Sequence, residues 1–109
     1  MHRVDKPWGY EEWLEVNEKY VVKRLMMKKG NQCSLQYHEA KKETVMVLSG
    51  TLTVYFNDQI IKMAPSDILT IEPHDIHRMF AENEDCLYLE CSTPELDDVV
   101  RIEDDYGRK

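Results

Sequence analysis

Short runs of alternating apolar and polar residues, each closed by a turn signal, recur along the whole chain. Tyr10 to Val16 and Tyr20 to Met27 favour extended structure and are separated by Asn17-Glu18-Lys19. Lys29-Gly30-Asn31 breaks the chain before Cys33 to His38, where period 2 puts Ser34, Gln36 and His38 on one face and Cys33, Leu35 and Tyr37 on the other. Beyond Glu39-Ala40-Lys41-Lys42, Thr44 to Ser49 and Thr51 to Phe56 read as strands hinged at Gly50, a residue that permits a bulge or tight turn. Asn57-Asp58 marks a hairpin, and Gln59 to Met63, Ile68 to Ile71, His77 to Ala81 and Cys86 to Ser92 complete the series. No stretch carries a helical period. The pattern predicts an all-β domain, an antiparallel sandwich or barrel.

Length allows one such domain, because 109 residues bury about two thirds of their unfolded surface around a single core. Its expected parts are an N-terminal arm and first strand over 1–20, a barrel over 21–93 and a tail over 94–109, with a start and end that look complete. In the arm, Pro7 and Gly9 flank Trp8 and rule out a regular helix, so Trp8 is expected to be buried and to pin the arm. Thr44 to Leu48 and Leu87 to Cys91 are apolar on both faces, which predicts cover on both sides and a homodimer as one source of it.

A formal charge of −7, with acidic residues at both ends, argues against nucleic-acid and anionic-membrane partners. Lys28-Lys29 and Lys41-Lys42 read as solvated turns. There is neither a membrane-span-length apolar run nor a signal-peptide core, so a cytoplasmic location is expected. Three cysteines, Cys33, Cys86 and Cys91, without a CxxC pattern, read as reduced core residues.

The residues with candidate chemistry lie between Gln32 and Gly50 and at His77. Alternation puts His38 on the face of Gln36, and Glu43 on the face of Val45, Val47 and Ser49. If both faces line a barrel interior, His77 at a strand start can join them from across it. Two histidines and one carboxylate with open positions form a ligand set for iron, and also for manganese, nickel or zinc.

Gly30, His38, Glu43 and Gly50 match the first cupin motif of a glycine, an HxH pair, a glutamate and a glycine, and His77 matches the histidine that ends the second. The chain therefore resembles the cupins, and more closely those similar to the type II phosphomannose isomerase domain. That closer likeness rests on Lys6-Pro7-Trp8-Gly9-Tyr10, Val22-Lys23-Arg24-Leu25, Ser34-Leu35-Gln36-Tyr37-His38 and the tail from Val100 to Arg108. Two departures stand out. Ala40 replaces the second histidine of HxH, and His74 takes the glycine position of the turn before His77. Gln36 and His74 are the side chains that could compensate for the ligand lost at Ala40.

The resemblance implies a cupin jelly-roll barrel, a double-stranded β-helix, holding a divalent transition metal on His38, Glu43 and His77. It also implies a metal-dependent aldose–ketose isomerisation of a sugar phosphate of the mannose 6-phosphate type, in carbohydrate or nucleotide-sugar metabolism. Such chemistry needs a Lewis acid on adjacent oxygens and a base for the carbon acid between them. Glu43 and Glu90 are the catalytic candidates. Gln36 and Arg24 are the candidates for substrate, Arg24 because a guanidinium matches phosphate geometry. The competing readings are a carbohydrate-binding module without catalysis, which the loss at Ala40 would produce, and a non-haem iron oxygenase. The sequence leaves open whether the domain works alone or beside a nucleotidyltransferase.

Overall fold

The computed structural model describes residues 2–107; Arg108, part of the tail motif, lies outside the described residues. Strands run in the order β1 (His2–Lys6), β2 (Gly9–Val16), β3 (Val21–Met27), β4 (Leu35–Tyr37), β5 (Glu43–Ser49), β6 (Leu52–Phe56), β7 (Gln59–Met63), β8 (Ile68–Ile71), β9 (His77–Phe80), β10 (Cys86–Ser92) and β11 (Val100–Glu103), with no helix among the described residues. One sheet has the order β1-β2-β3-β10-β5-β8 and the other β11-β4-β9-β6-β7, and the pairings within both are antiparallel. This is the two-sheet all-β arrangement expected from the alternation.

The nine expected strands are present with small shifts at their ends. Two more, β1 and β11, lie in the arm and the tail, where charged residues mask the period; each adds to a sheet edge by pairing with β2 or β4. Trp8 is buried in the core beside Leu25, Met27, Val45, Val47 and Tyr88, which ties the arm to the barrel. The turns obey local chemistry. Asn57 and Asp58 have φ of 44° and 69°, the left-handed pair that a two-residue hairpin between Phe56 and Gln59 requires. At Gly50 φ is 76°, and a Cβ there would lie 2.2 Å from the Asp85 carbonyl oxygen, so only glycine fits.

Inward residues of β3, β5 and β10 are buried and their neighbours are half-buried or exposed; Ser49, expected on the face of Glu43, is exposed instead, where the register with β10 shifts between Leu87 and Tyr88. On the outward face, Met46, Leu87 and Leu89 stay half-buried, while Leu48 and Cys91 are exposed. Among the described residues, nothing in the chain fully covers that side.

Cys91 is therefore no core residue, unlike Cys33 and Cys86. Burial pushes the Cys33 thiol up to about 11 and the Cys86 thiol up to about 12, so both stay protonated and unreactive at neutral pH. Titrating folded protein with iodoacetamide at pH 7.5 should leave Cys33 and Cys86 unmodified, Cys91 being the thiol that the single chain leaves open, and all three should react after denaturation. Rapid loss of all three in the folded state would contradict this packing.

Candidate metal centre

Strand register assembles the site. Residues directly opposite one another on paired strands face the same side of a sheet. Across the first sheet, Trp13, Lys23, Glu90 and Val45 form one rung, and Val21, Ser92, Glu43 and Ile71 the next but one. Across the second sheet, Arg101, Gln36 and His77 form a third rung. The two sheets turn these rungs toward a shared cavity of about 410 Å³, lined among others by Gln36, His38, Lys41, Glu43, His77 and Glu90.

His38 follows β4 and His77 opens β9, and both are buried with Glu43. Their ligand atoms all lie within 4.8 Å of one another. Glu43 Oε1 is 3.2 Å from His38 Nε2 and 3.4 Å from His77 Nε2. The other nitrogen of each ring meets a backbone carbonyl, that of Asp98 for His38 and that of Asp75, at 2.9 Å, for His77. A carbonyl only accepts, so each Nδ1 carries a proton and donates it. In the neutral rings both Nε2 lone pairs then point at a carboxylate oxygen, and three acceptors converge with no proton between them.

That convergence calls for a cation. Two protonated imidazoles would satisfy it, and one divalent ion would serve all three atoms at once. With metal bonds of about 2.0–2.2 Å, neighbouring ligand atoms around one ion stand about 3.0–3.5 Å apart. The two separations to Glu43, 3.2 and 3.4 Å, match that spacing, and the ligand atoms of the two imidazoles stand within 4.8 Å of each other. Carbonyl acceptors behind both imidazoles are also the usual outer shell of metal-bound histidine. His38, Glu43 and His77 therefore fit a divalent transition metal.

Electrostatics around the triad are dominated by buried charges. Burial disfavours the Glu43 carboxylate, yet the two imidazoles and the Lys41 ammonium hold its pKa well below the usual range. Burial opposes the charged His38 ring, but Glu43 and the Asp98 carbonyl outweigh it and raise the pKa. Lys41 Nζ lies 3.0 Å from Glu90 Oε1 and 3.7 Å from Glu43 Oε2, an oxygen with no hydrogen-bond partner. Burial and the charge of Glu43 push Glu90 up to about 7, against the pull of Lys41. Glu90 is thus poised to exchange a proton near neutrality.

Gln36 lines the cavity as expected, with its amide 3.7 Å from Cys33 Sγ. Arg24 does not. Its Nε donates to Glu12 Oε1 at 2.8 Å on the outward face, while Lys23 points into the cavity and lies 3.4 Å from Glu11. Both faces of β3 carry apolar residues, so alternation could not decide which cation turns inward. His74 is exposed with φ of 72°, the glycine-like turn conformation, and donates its backbone N–H to the His38 carbonyl; it is not among the clustered ligand atoms. Ala40 is exposed too, and its backbone N–H donates to Asp98.

Lys41 was expected in a solvated turn and is instead buried among carboxylates. Its signal was available, since Lys41, Glu43, Val45 and Val47 share one parity. Asp98 had no local signal, because its partners lie some sixty residues earlier in the chain.

The family model for the C-terminal domain of mannose-6-phosphate isomerase matches residues 1–104. The chain belongs to that family. ManC of Salmonella typhimurium, a mannose-1-phosphate guanylyltransferase, is 35% identical over 99% of this chain, which spans 24% of ManC. AlgA of Pseudomonas aeruginosa, an alginate biosynthesis protein, is 30% identical over 96% of this chain and 23% of its own length. Among solved structures, KdgF from Halomonas superposes with a TM-score of 0.81 at 17% identity over 89% of both chains. A cupin-2 domain from Rhodospirillum rubrum gives 0.77 at 20% identity, over 84% of this chain and 64% of its own. The double-stranded β-helix of the cupins is thus the fold of this domain, and its curated relatives are named as guanylyltransferases or polysaccharide biosynthesis proteins. No helix among the described residues is long and apolar enough to cross a membrane.

Proposed function

We propose that this cupin domain is a metal-dependent isomerase of sugar phosphates, of the mannose 6-phosphate type. The observation that carries the reading is the convergence of His38 Nε2, His77 Nε2 and Glu43 Oε1 in a polar cavity with the Glu90 carboxyl close by. A divalent ion bound to the three ligands would supply Lewis acidity to adjacent carbonyl and hydroxyl oxygens. Glu90 is the group that takes the proton from the hydroxyl-bearing carbon and returns it to the neighbouring, former carbonyl carbon, while the hydroxyl proton passes from one oxygen to the other. Its raised pKa suits transfer in both directions. Lys41 holds Glu90 in place through its 3.0 Å contact. Gln36 would meet the sugar, and Lys6 and Arg101, which line the cavity where Arg24 does not, would take its phosphate. Acidic composition argues against nucleic-acid partners, and a cytoplasmic homodimer, covering the outward face of β5 and β10, is part of this reading.

The test is direct. Metal-loaded protein should interconvert mannose 6-phosphate and fructose 6-phosphate, and Glu90→Gln should lower kcat by about 10²–10⁴-fold with little change in metal content. One observation favours a carbohydrate-binding module instead: Ala40 is exposed and contributes no ligand. That reading predicts no turnover but thermal stabilisation by the same sugars. Oxygen consumption with iron bound would point to the oxygenase alternative. Sedimentation of the purified protein reads the dimer.

A further inference from the structure

The tail of the chain closes over the cavity between β10 and β11, where Leu96, Asp97, Asp98 and Val99 join its lining. One residue ties this segment down. The Asp98 carboxylate accepts three consecutive backbone N–H groups, from Glu39 at 3.0 Å, Ala40 at 2.7 Å and Lys41 at 2.9 Å. These bonds hold its pKa below the usual value for an aspartate. The carbonyl of the same residue accepts the Nδ1 proton of His38. Four hydrogen bonds thus join Asp98 to the four consecutive residues that begin with one metal-ligand candidate and end with the buried Lys41.

The two halves of this clasp act together. A side chain that grips the 39–41 backbone fixes where Asp98 sits, and therefore where its carbonyl lies behind the His38 ring. That carbonyl sets the tautomer, leaving the Nε2 lone pair to face Glu43. Ala40 belongs to the same arrangement. Its backbone N–H is the middle one of the three that donate to Asp98.

We infer that Asp98 is the positioning residue of the metal centre, through which the C-terminal tail presets His38 for a divalent cation. This rests on the metal reading above and adds to it a dependence of the site on a segment far away in sequence.

The experiment uses the full chain with Asp98→Ala, which removes the grip, and Asp98→Asn, which keeps one acceptor oxygen. Competition with a chromophoric chelator gives the affinity for Zn²⁺ alone. Histidine ¹⁵N spectra of the metal-free protein give the His38 tautomer, which a merely structural role would not change. Asp98→Ala should bind Zn²⁺ about 10–100-fold more weakly, the range for lost outer-shell partners. Its His38 should pass from a single Nδ1–H tautomer to a mixture, and Asp98→Asn should fall between. An Asp98→Ala protein with Zn²⁺ affinity within twofold of the parent and an unchanged His38 tautomer overturns the inference. If the parent binds no metal but the tautomer still shifts in Asp98→Ala, the metal reading fails while the positioning role stands. If Asp98→Ala does not fold, the same two measurements on Asp98→Asn decide.

Discussion

Glu43→Gln is expected to leave the domain folded and stripped of its metal. Purified parent protein should carry about one divalent transition metal ion per chain and the variant less than a tenth of that, read by elemental analysis. The carboxylate is the only anionic member of the triad, and its Oε1 is the atom both imidazoles approach. An amide in its place keeps the shape and loses the charge that a cation needs. The fold should tolerate the change because Lys41 keeps Glu90 at 3.0 Å, so the buried ammonium still has its counter-charge. His38→Ala should lose metal as well. Parent protein that emerges metal-free from metal-replete expression would sink the site.

Lys41→Met is expected to do the opposite, harming the fold more than the ligands. It removes the ammonium that lies between Glu43 and Glu90, and removing one partner from a buried ion pair costs about 3–5 kcal/mol. For a domain of this size that lowers the melting temperature by roughly 10 °C or more. The loss should depend on pH. Glu90 has a folded pKa raised from 4.5 to about 7, so its contribution is complete below 4.5 and fades as pH rises through 7. His38, also raised, acts in the same direction from its ordinary 6.5. Glu43, depressed below 4.5, contributes above that value and loses its contribution only in stronger acid. Metal-free parent protein should therefore be more stable at pH 5.5 than at pH 8, and Lys41→Met should steepen that slope. Added Zn²⁺ should restore much of the loss at pH 8 by replacing the missing charge. Equal destabilisation at both pH values would show that Lys41 acts by packing alone.

Much of the barrel was legible because a strand half-buried on one face writes its burial into its sequence. The Asn57-Asp58 hairpin and the Gly50 hinge were readable for the same local reason, since left-handed backbone selects a few residue types. β1 and β11 were not legible. An edge strand presents charged residues to water, and what makes it a strand is the partner it pairs with. The three side chains that converge, His38, Glu43 and His77, could be named, but the inward cation of β3 could not, because Val22 and Met26 flank Arg24 as Val21 and Leu25 flank Lys23.

By itself, the sequence determined the class of the fold and the positions of most strands, properties carried by residue type and short-range period, and its likeness to the cupin motifs singled out His38, Glu43 and His77. Only the tertiary structure decided which face of β3 looks inward, that Lys41 meets Glu90 of a distant strand as well as Glu43, and that Asp98 reaches back to the loop beginning at His38. Those outcomes depend on register between strands far apart in the chain. A shift of one residue in that register would turn every side chain of a strand to its other face, and no local pattern records it.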